Sequence, residues 1–247
     1  MRRGAASLAT RHGQRIIGLL ALLALAVSAA LSLVISPPDA RQGQLIRLMY
    51  VHVPAAWIAY LAFTVVFVAS VAYLRTDRSR WDRLAGASAE IGVVFTAVTI
   101  VVGSIWAKPV WGTWWTWDPR LTTTAVLFLI YVGYLAIRRI PEDPRRRARW
   151  AAVVGIVGFV DVPIVHVSVR WWRSLHRPPA RLLGIPDLAP AMGAALGAAV
   201  VAFSLAYVYL MLVRLRLERI EDRRITEAIA ASVPGIDAAH EGVVLGG

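Results

Sequence analysis

Six apolar stretches divide this chain, at about 16–35, 53–74, 87–107, 121–137, 150–169 and 188–213. A helix of ~20 residues crosses a hydrocarbon core of ~30 Å, so each stretch is a candidate span. The pattern predicts an all-α integral membrane protein with six transmembrane helices. The first stretch, Ile16–Ile35, meets Ser36-Pro37-Pro38-Asp39, where proline lacks the amide donor and restricts the residue before it, ending the helix. It is longer than the ~7–15 residues of a signal-peptide core, so it is expected to be retained as a span. The expected organisation is a membrane domain over 1–225 and a short cytoplasmic tail over 226–247, read as a short helix with a frayed end.

Charge orients these spans. The chain carries 27 basic and 15 acidic residues, and every basic residue except Lys108 is arginine. A net charge of +12 alone would suit nucleic-acid binding, but 58% of the residues are hydrophobic and mean hydropathy is +0.60. Soluble domains hold roughly 45–50% apolar residues, so the arginines flanking the apolar runs read as topology anchors, and no nucleic-acid partner is expected. Six spans put both termini on one side. The segments there, namely the N-terminus, 75–83, 138–149 and 214–224, hold 19 basic residues. The opposite segments hold eight: Arg41, Arg47, Lys108, Arg120, Arg170, Arg173, Arg177 and Arg181. The positive-inside rule makes the termini cytoplasmic. Pro141-Glu142-Asp143-Pro144 is expected to turn the chain between the fourth and fifth spans.

With that threading, the unusual residues collect on the outer face. Seven of the ten tryptophans, Trp106, Trp111, Trp114, Trp115, Trp117, Trp171 and Trp172, lie in or beside the second and third outer segments. Indole rings favour the headgroup level, which accounts for isolated tryptophans such as Trp57, Trp81 and Trp150. Five within Trp106–Trp117 exceed what anchoring one helix end requires. Their flat faces suit stacking on a large planar apolar ligand, and haem fits that description. Asp118-Pro119 also has the form of a helix N-cap followed by an N1 proline, a role compatible with lining a site.

Haem iron takes axial ligands, most often histidine. Of five histidines, His12 and His240 fall on the inner side. His52, in Met49-Tyr50-Val51-His52-Val53-Pro54, and His176, in Trp171-Trp172-Arg173-Ser174-Leu175-His176-Arg177, flank the tryptophan loop on the outer side. A lone histidine at a membrane border is commonly an interface residue, but two on one face, around a tryptophan cluster, suit bis-histidine ligation. His166 falls inside the fifth span with Asp161 and Pro163. Ionisable residues at that depth raise a functional question; equally, Asp161 and His166 could satisfy each other or the helix opened by Pro163. There are no cysteines, which excludes disulfides and thiolate metal sites, and no nucleotide-binding loop or nucleophile triad is visible. No catalytic side-chain set is therefore expected.

The run Trp111-Gly112-Thr113-Trp114-Trp115-Thr116-Trp117-Asp118-Pro119-Arg120-Leu121-Thr122 resembles the "WWD" signature of the haem-handling protein family. His52-Val53-Pro54-Ala55-Ala56-Trp57 and Ser168-Val169-Arg170-Trp171-Trp172-Arg173-Ser174-Leu175-His176 are similar to the outer-loop histidine motifs of its cytochrome c maturation branch, CcmC. The resemblance covers about residues 15–215. It implies a multi-pass bacterial inner-membrane protein that holds b-type haem at its outer face and passes it to the periplasmic haem chaperone CcmE, beside the transporter subunits CcmA and CcmB and the small protein CcmD. His52 and His176 would ligate iron, and Trp111, Gly112, Trp114, Trp115, Trp117, Asp118, Arg120, Trp171 and Trp172 would form the haem platform. Arg177 and Asp161 stand where the family pattern usually has glutamine and asparagine. The rival readings are a cytochrome c haem lyase or synthase, which would bring extra spans or a large outer domain, and a transmembrane haem channel, hinted at only by Asp161 and His166.

Overall fold

The computed structural model describes residues 2–140, 143–176 and 188–232. Pro141 and Glu142 of the expected turn, Arg177 and Arg181, His240, and the tail beyond residue 232 lie outside the described residues. Among the described residues seven α-helices follow one another: α1 (Arg2–Ala30), α2 (Met49–Thr76), α3 (Ser79–Trp111), α4 (Pro119–Ile137), α5 (Pro144–Phe159), α6 (Asp161–Trp171) and α7 (Pro190–Ser232). Six helical segments are long and apolar enough to cross a membrane, α5 and α6 counting as one interrupted segment. The chain is thus the six-span helical membrane protein that its hydropathy predicts. α7 runs on through residue 226 to Ser232, so the start of the expected tail is a continuation of the last span.

The fifth span differs from expectation in being broken. α5 stops at Phe159 and α6 starts at Asp161, around Val160. Pro163 cannot donate to the carbonyl four residues earlier, that of Phe159, and this missing rung coincides with the break. Of the two alternatives left open for Asp161 and His166, their pairing with each other is not made. Asp161 is buried with its Oδ2 unpartnered, whereas His166 is exposed on the bundle surface.

Size ordering is that of a protein in lipid. Leu19, Leu22, Leu23, Val68, Val94, Leu129 and Val157 are exposed, while Ala55, Ala59, Ala62 and Ala69 of α2 and Ala85 and Ala89 of α3 are buried. Lipid tails already solvate leucine, so close packing of small residues holds such helices together. Gly92 illustrates it: a Cβ there would lie 2.6 Å from Phe63, whose ring stacks on Tyr131 of α4 at 3.7 Å between centroids. Hydrogen bonds add to the contacts, with Ser88 of α3 donating to the Ala62 carbonyl (2.8 Å) and lying 2.8 Å from the Tyr207 hydroxyl of α7. At the end away from the tryptophan loop, Arg138 makes a bidentate pair with Asp82, and Arg214 makes another with Glu90. Gly86 leaves room for the Arg138 guanidinium, which a Cβ would approach to 2.8 Å.

Candidate haem site at the tryptophan-rich face

The tryptophan loop begins where α3 ends. Gly112 adopts φ 79° and its N–H closes on the Lys108 carbonyl at 3.0 Å. This left-handed position favours glycine and stops the helix, which accounts for Gly112 without a ligand contact. Trp114 and Trp117 project into the surroundings, at 56% and 81% exposure. Trp115 is half-buried and meets Trp117 edge to face, 6.0 Å between centroids. α4 then starts at Pro119, capped by Asp118, whose carboxylate accepts from the Arg120 N–H at 2.9 Å.

Asp118 does more than cap. Its side chain is 2% exposed, and its second oxygen accepts from the Leu175 N–H at 2.7 Å, across to the segment that follows α6. The His176 Nδ1 lies 3.3 Å from Oδ1. Burial by itself raises the Asp118 carboxyl, but hydrogen bonds from Ser174, Leu175 and Arg120, with His176 alongside, bring it below the ordinary value of 3.8. Asp118 is therefore a carboxylate at neutral pH. Burial also lowers His176 from its ordinary 6.5; Asp118 opposes that shift and Arg120 adds to it. A neutral imidazole facing a carboxylate donates from Nδ1, which leaves the Nε2 lone pair available, the arrangement common to metal-binding histidines. Trp111, the last residue of α3, meets the His176 ring edge to face at 5.0 Å.

His52 lies in the first turn of α2, against α3. A Cβ on Gly103 would sit 2.8 Å from its Cε1, and Trp106 meets the imidazole edge to face at 5.9 Å. The Trp106 indole is fixed in turn by donating to the Gln42 side chain, in the segment between α1 and α2, 2.7 Å away. The α3 contacts of the two histidines, Gly103 and Trp111, are eight residues apart, about 12 Å along a helix. Both imidazoles thus stand on one end of one helix, each fixed by its own neighbours. Arg120 lies within electrostatic reach of both, donating to the His166 carbonyl at 3.2 Å while its Nε is buried without a partner among the described residues.

Trp171 and Trp172, at the end of α6, are more than half exposed and meet each other edge to face at 5.8 Å; neither has a ring contact with a histidine among the described residues. Three residues without an expected role belong to the site: Gly103, Gln42 and Ser174. The Gly103-to-Trp106 interval of three residues places both on one helix face and is the one signal in the sequence for the first of them.

A family model described as heme exporter protein C, CcmC, matches residues 5–230. The chain is similar to heme exporter protein C of Bradyrhizobium diazoefficiens, 38% identical over 190 residues, covering 76% of this chain and 72% of that one. It is 39% identical to heme exporter protein C of Escherichia coli K12 over 181 residues, 73% of each chain. Heme exporter protein C of Haemophilus influenzae is 36% identical over 204 residues, 82% of this chain and 83% of that one. Six helices of spanning length and a match over nearly all of the described residues identify the chain as a multi-pass membrane protein belonging to the heme exporter protein C family.

Proposed function

We propose that this protein holds haem at the outer face of the bacterial inner membrane and hands it to the periplasmic haem chaperone CcmE during cytochrome c biogenesis, with CcmA, CcmB and CcmD as the other members of the assembly. The observation that carries the reading is the His176–Asp118 contact beside Trp111, on the same end of α3 that holds His52 against Trp106. The donor set suits the ligand. His176 offers a neutral imidazole already held from its Nδ1 side by a carboxylate, which fixes the ring and strengthens the other nitrogen as a donor. His52 supplies a second imidazole and the exposed indoles supply flat apolar area. Haem brings its own iron chemistry; the protein supplies ligation, orientation and access.

In this reading Asp118 is a positioning residue, acting through His176 and binding the second and third outer segments together. Trp114 and Trp117, the exposed indoles of the loop between α3 and α4, form the surface that an incoming chaperone meets. The test is spectroscopic. Protein purified from haem-replete cells should show a low-spin bis-histidine spectrum, and His52→Ala or His176→Ala should each open a coordination position, while His12→Ala leaves the spectrum unchanged. Spectra unchanged from that of the unaltered protein in both ligand variants would overturn the assignment.

A further inference from the structure

The end of the bundle opposite the tryptophan loop carries a groove of about 570 Å³, lined by Asp143, Arg145, Arg146, Arg149, Trp150 and Val153. Among the described residues its lining carries three guanidinium groups and one carboxylate. That carboxylate caps α5, accepting from the Arg146 N–H at 2.9 Å. Arg149 reaches towards Asp77 at 3.7 Å in an exposed pair, a kind of contact that holds side chains weakly. The groove does not end in polar surface. Trp150, Val153, Val157 and Val160 are all exposed and recur at intervals of three, four and three residues, so they form one continuous apolar lane along a single face of α5 and the break beyond it.

We propose that this groove binds an anionic phospholipid, with the phosphate among Arg145, Arg146 and Arg149, the Trp150 indole at the glycerol level, and an acyl chain along Val153, Val157 and Val160. Positive charge at one end of a lane and lipid-facing apolar side chains along the rest match an amphiphile with an anionic head. A free phosphate would leave the lane without a role, and an acidic protein segment would not need it. The same chemistry recurs at a second groove between α3 and α7, lined by Arg80, Trp81, Arg83, Leu84, Leu215 and Arg219, where the Arg80 guanidinium lies 4.9 Å from the Trp81 ring centroid. Basic pockets beside transmembrane helices are suited to such headgroups.

The full chain in neutral detergent is titrated with short-chain phosphatidylglycerol, with phosphatidylcholine of the same chain length, and with inorganic phosphate, and bound molecules are counted by native mass spectrometry. Phosphatidylglycerol should bind in preference to phosphatidylcholine, and the double variant Arg145→Gln/Arg149→Gln should weaken it about twenty-fivefold, two arginines at about fivefold each. Arg170→Gln/Arg173→Gln, an equal loss of charge on the opposite face, should leave binding unchanged. Equal affinity for the two lipids, no loss in the groove variant, an equal loss in the opposite-face variant, or arginine-dependent binding of phosphate as tight as that of the lipid would each overturn the proposal. Should the groove variant fail to fold, phosphatidylglycerol brominated in its chains should quench a fluorescence component of the unaltered protein that Trp150→Phe lacks; no difference between them overturns it as well.

Discussion

Replacing Asp118 with asparagine separates its two roles. The carboxylate accepts, with almost no access to water, from the N–H groups of Arg120 and Leu175 at 2.9 and 2.7 Å and from the Ser174 hydroxyl, with His176 Nδ1 at 3.3 Å. Asparagine caps a helix about as well as aspartate, which on sequence grounds alone would make Asp118→Asn mild for folding. The geometry argues otherwise, because the amide has one acceptor oxygen and its NH₂ must face either the Leu175 N–H or the Arg120 N–H. A buried donor left facing another donor costs about 1–3 kcal/mol, so the two outer segments should loosen even though α4 stays capped. The second effect is on His176, which loses a charged partner. Outer partners of metal-binding histidines are worth roughly 10–100-fold in metal affinity, so haem should dissociate that much more readily from Asp118→Asn, with a more positive reduction potential because a neutral partner makes the imidazole a poorer donor. Asp118→Ala adds the loss of the cap, about 0.5–2 kcal/mol. The assay is haem content and potential across wild type, Asn and Ala, with a melting curve for each. Wild-type haem affinity and potential in Asp118→Asn, alongside a defect in Asp118→Ala, would reduce Asp118 to a cap. The pH dependence has a definite sign. His176 is held below 6.5 in the fold, so the unfolded chain takes up the proton first and the haem-free protein loses stability as pH falls below 6.5, until the lower folded value is passed. Asp118, held below 3.8, contributes fully above that value and loses its contribution only in stronger acid.

Three other experiments probe the rest of the reading. Gly103→Ala should raise intrinsic helix stability by about 1 kcal/mol but drive a methyl against His52, at an overpacking cost of about 1–3 kcal/mol; lowered haem content in a protein that still inserts is the expected result, and full haem content would remove Gly103 from the site. Trp114→Phe and Trp117→Phe should leave insertion intact and impair co-purification of the chaperone, whereas a purely interfacial role predicts no effect. A reporter fused after Gly247 should be active only in the cytoplasm and one inserted near Gly112 only outside, and the opposite pattern would invert the charge-based topology.

The spans were legible because hydropathy reports on length and polarity, the two properties that bilayer crossing demands. The break at Val160 was visible only in part. Pro163 marks a lost rung, but whether a helix bends through a proline or stops depends on packing partners, here Phe159 stacked on Phe67 at 4.5 Å and Gly158 closed against Ile130, which a Cβ would approach to 2.5 Å. The inner ion pairs were out of reach for a similar reason. Asp82 and Arg138 are 56 positions apart, and nothing local in either says that Gly86 clears the space between them.

For the candidate site, residue types pointed to the chemistry while the links between them stayed hidden. Histidine and tryptophan advertise themselves by rarity and position, so His52, His176 and the loop from Trp111 to Trp117 could be picked out from the chain alone. What holds them could not: the Leu175 N–H is a backbone group, and Gln42 and Ser174 are polar residues of ordinary appearance. Asp118 shows why the distinction matters. Its local setting before Pro119 explains an aspartate there completely, since an N-cap requires little more than an acceptor, and the local explanation conceals the distant one. Only the approach of the third segment turns the cap into a carboxylate shared by a helix end, a loop amide and an imidazole. A side chain that meets three demands with two oxygens has little freedom to change, and the demand that a substitution breaks first, loop or imidazole, is what the asparagine variant reads out.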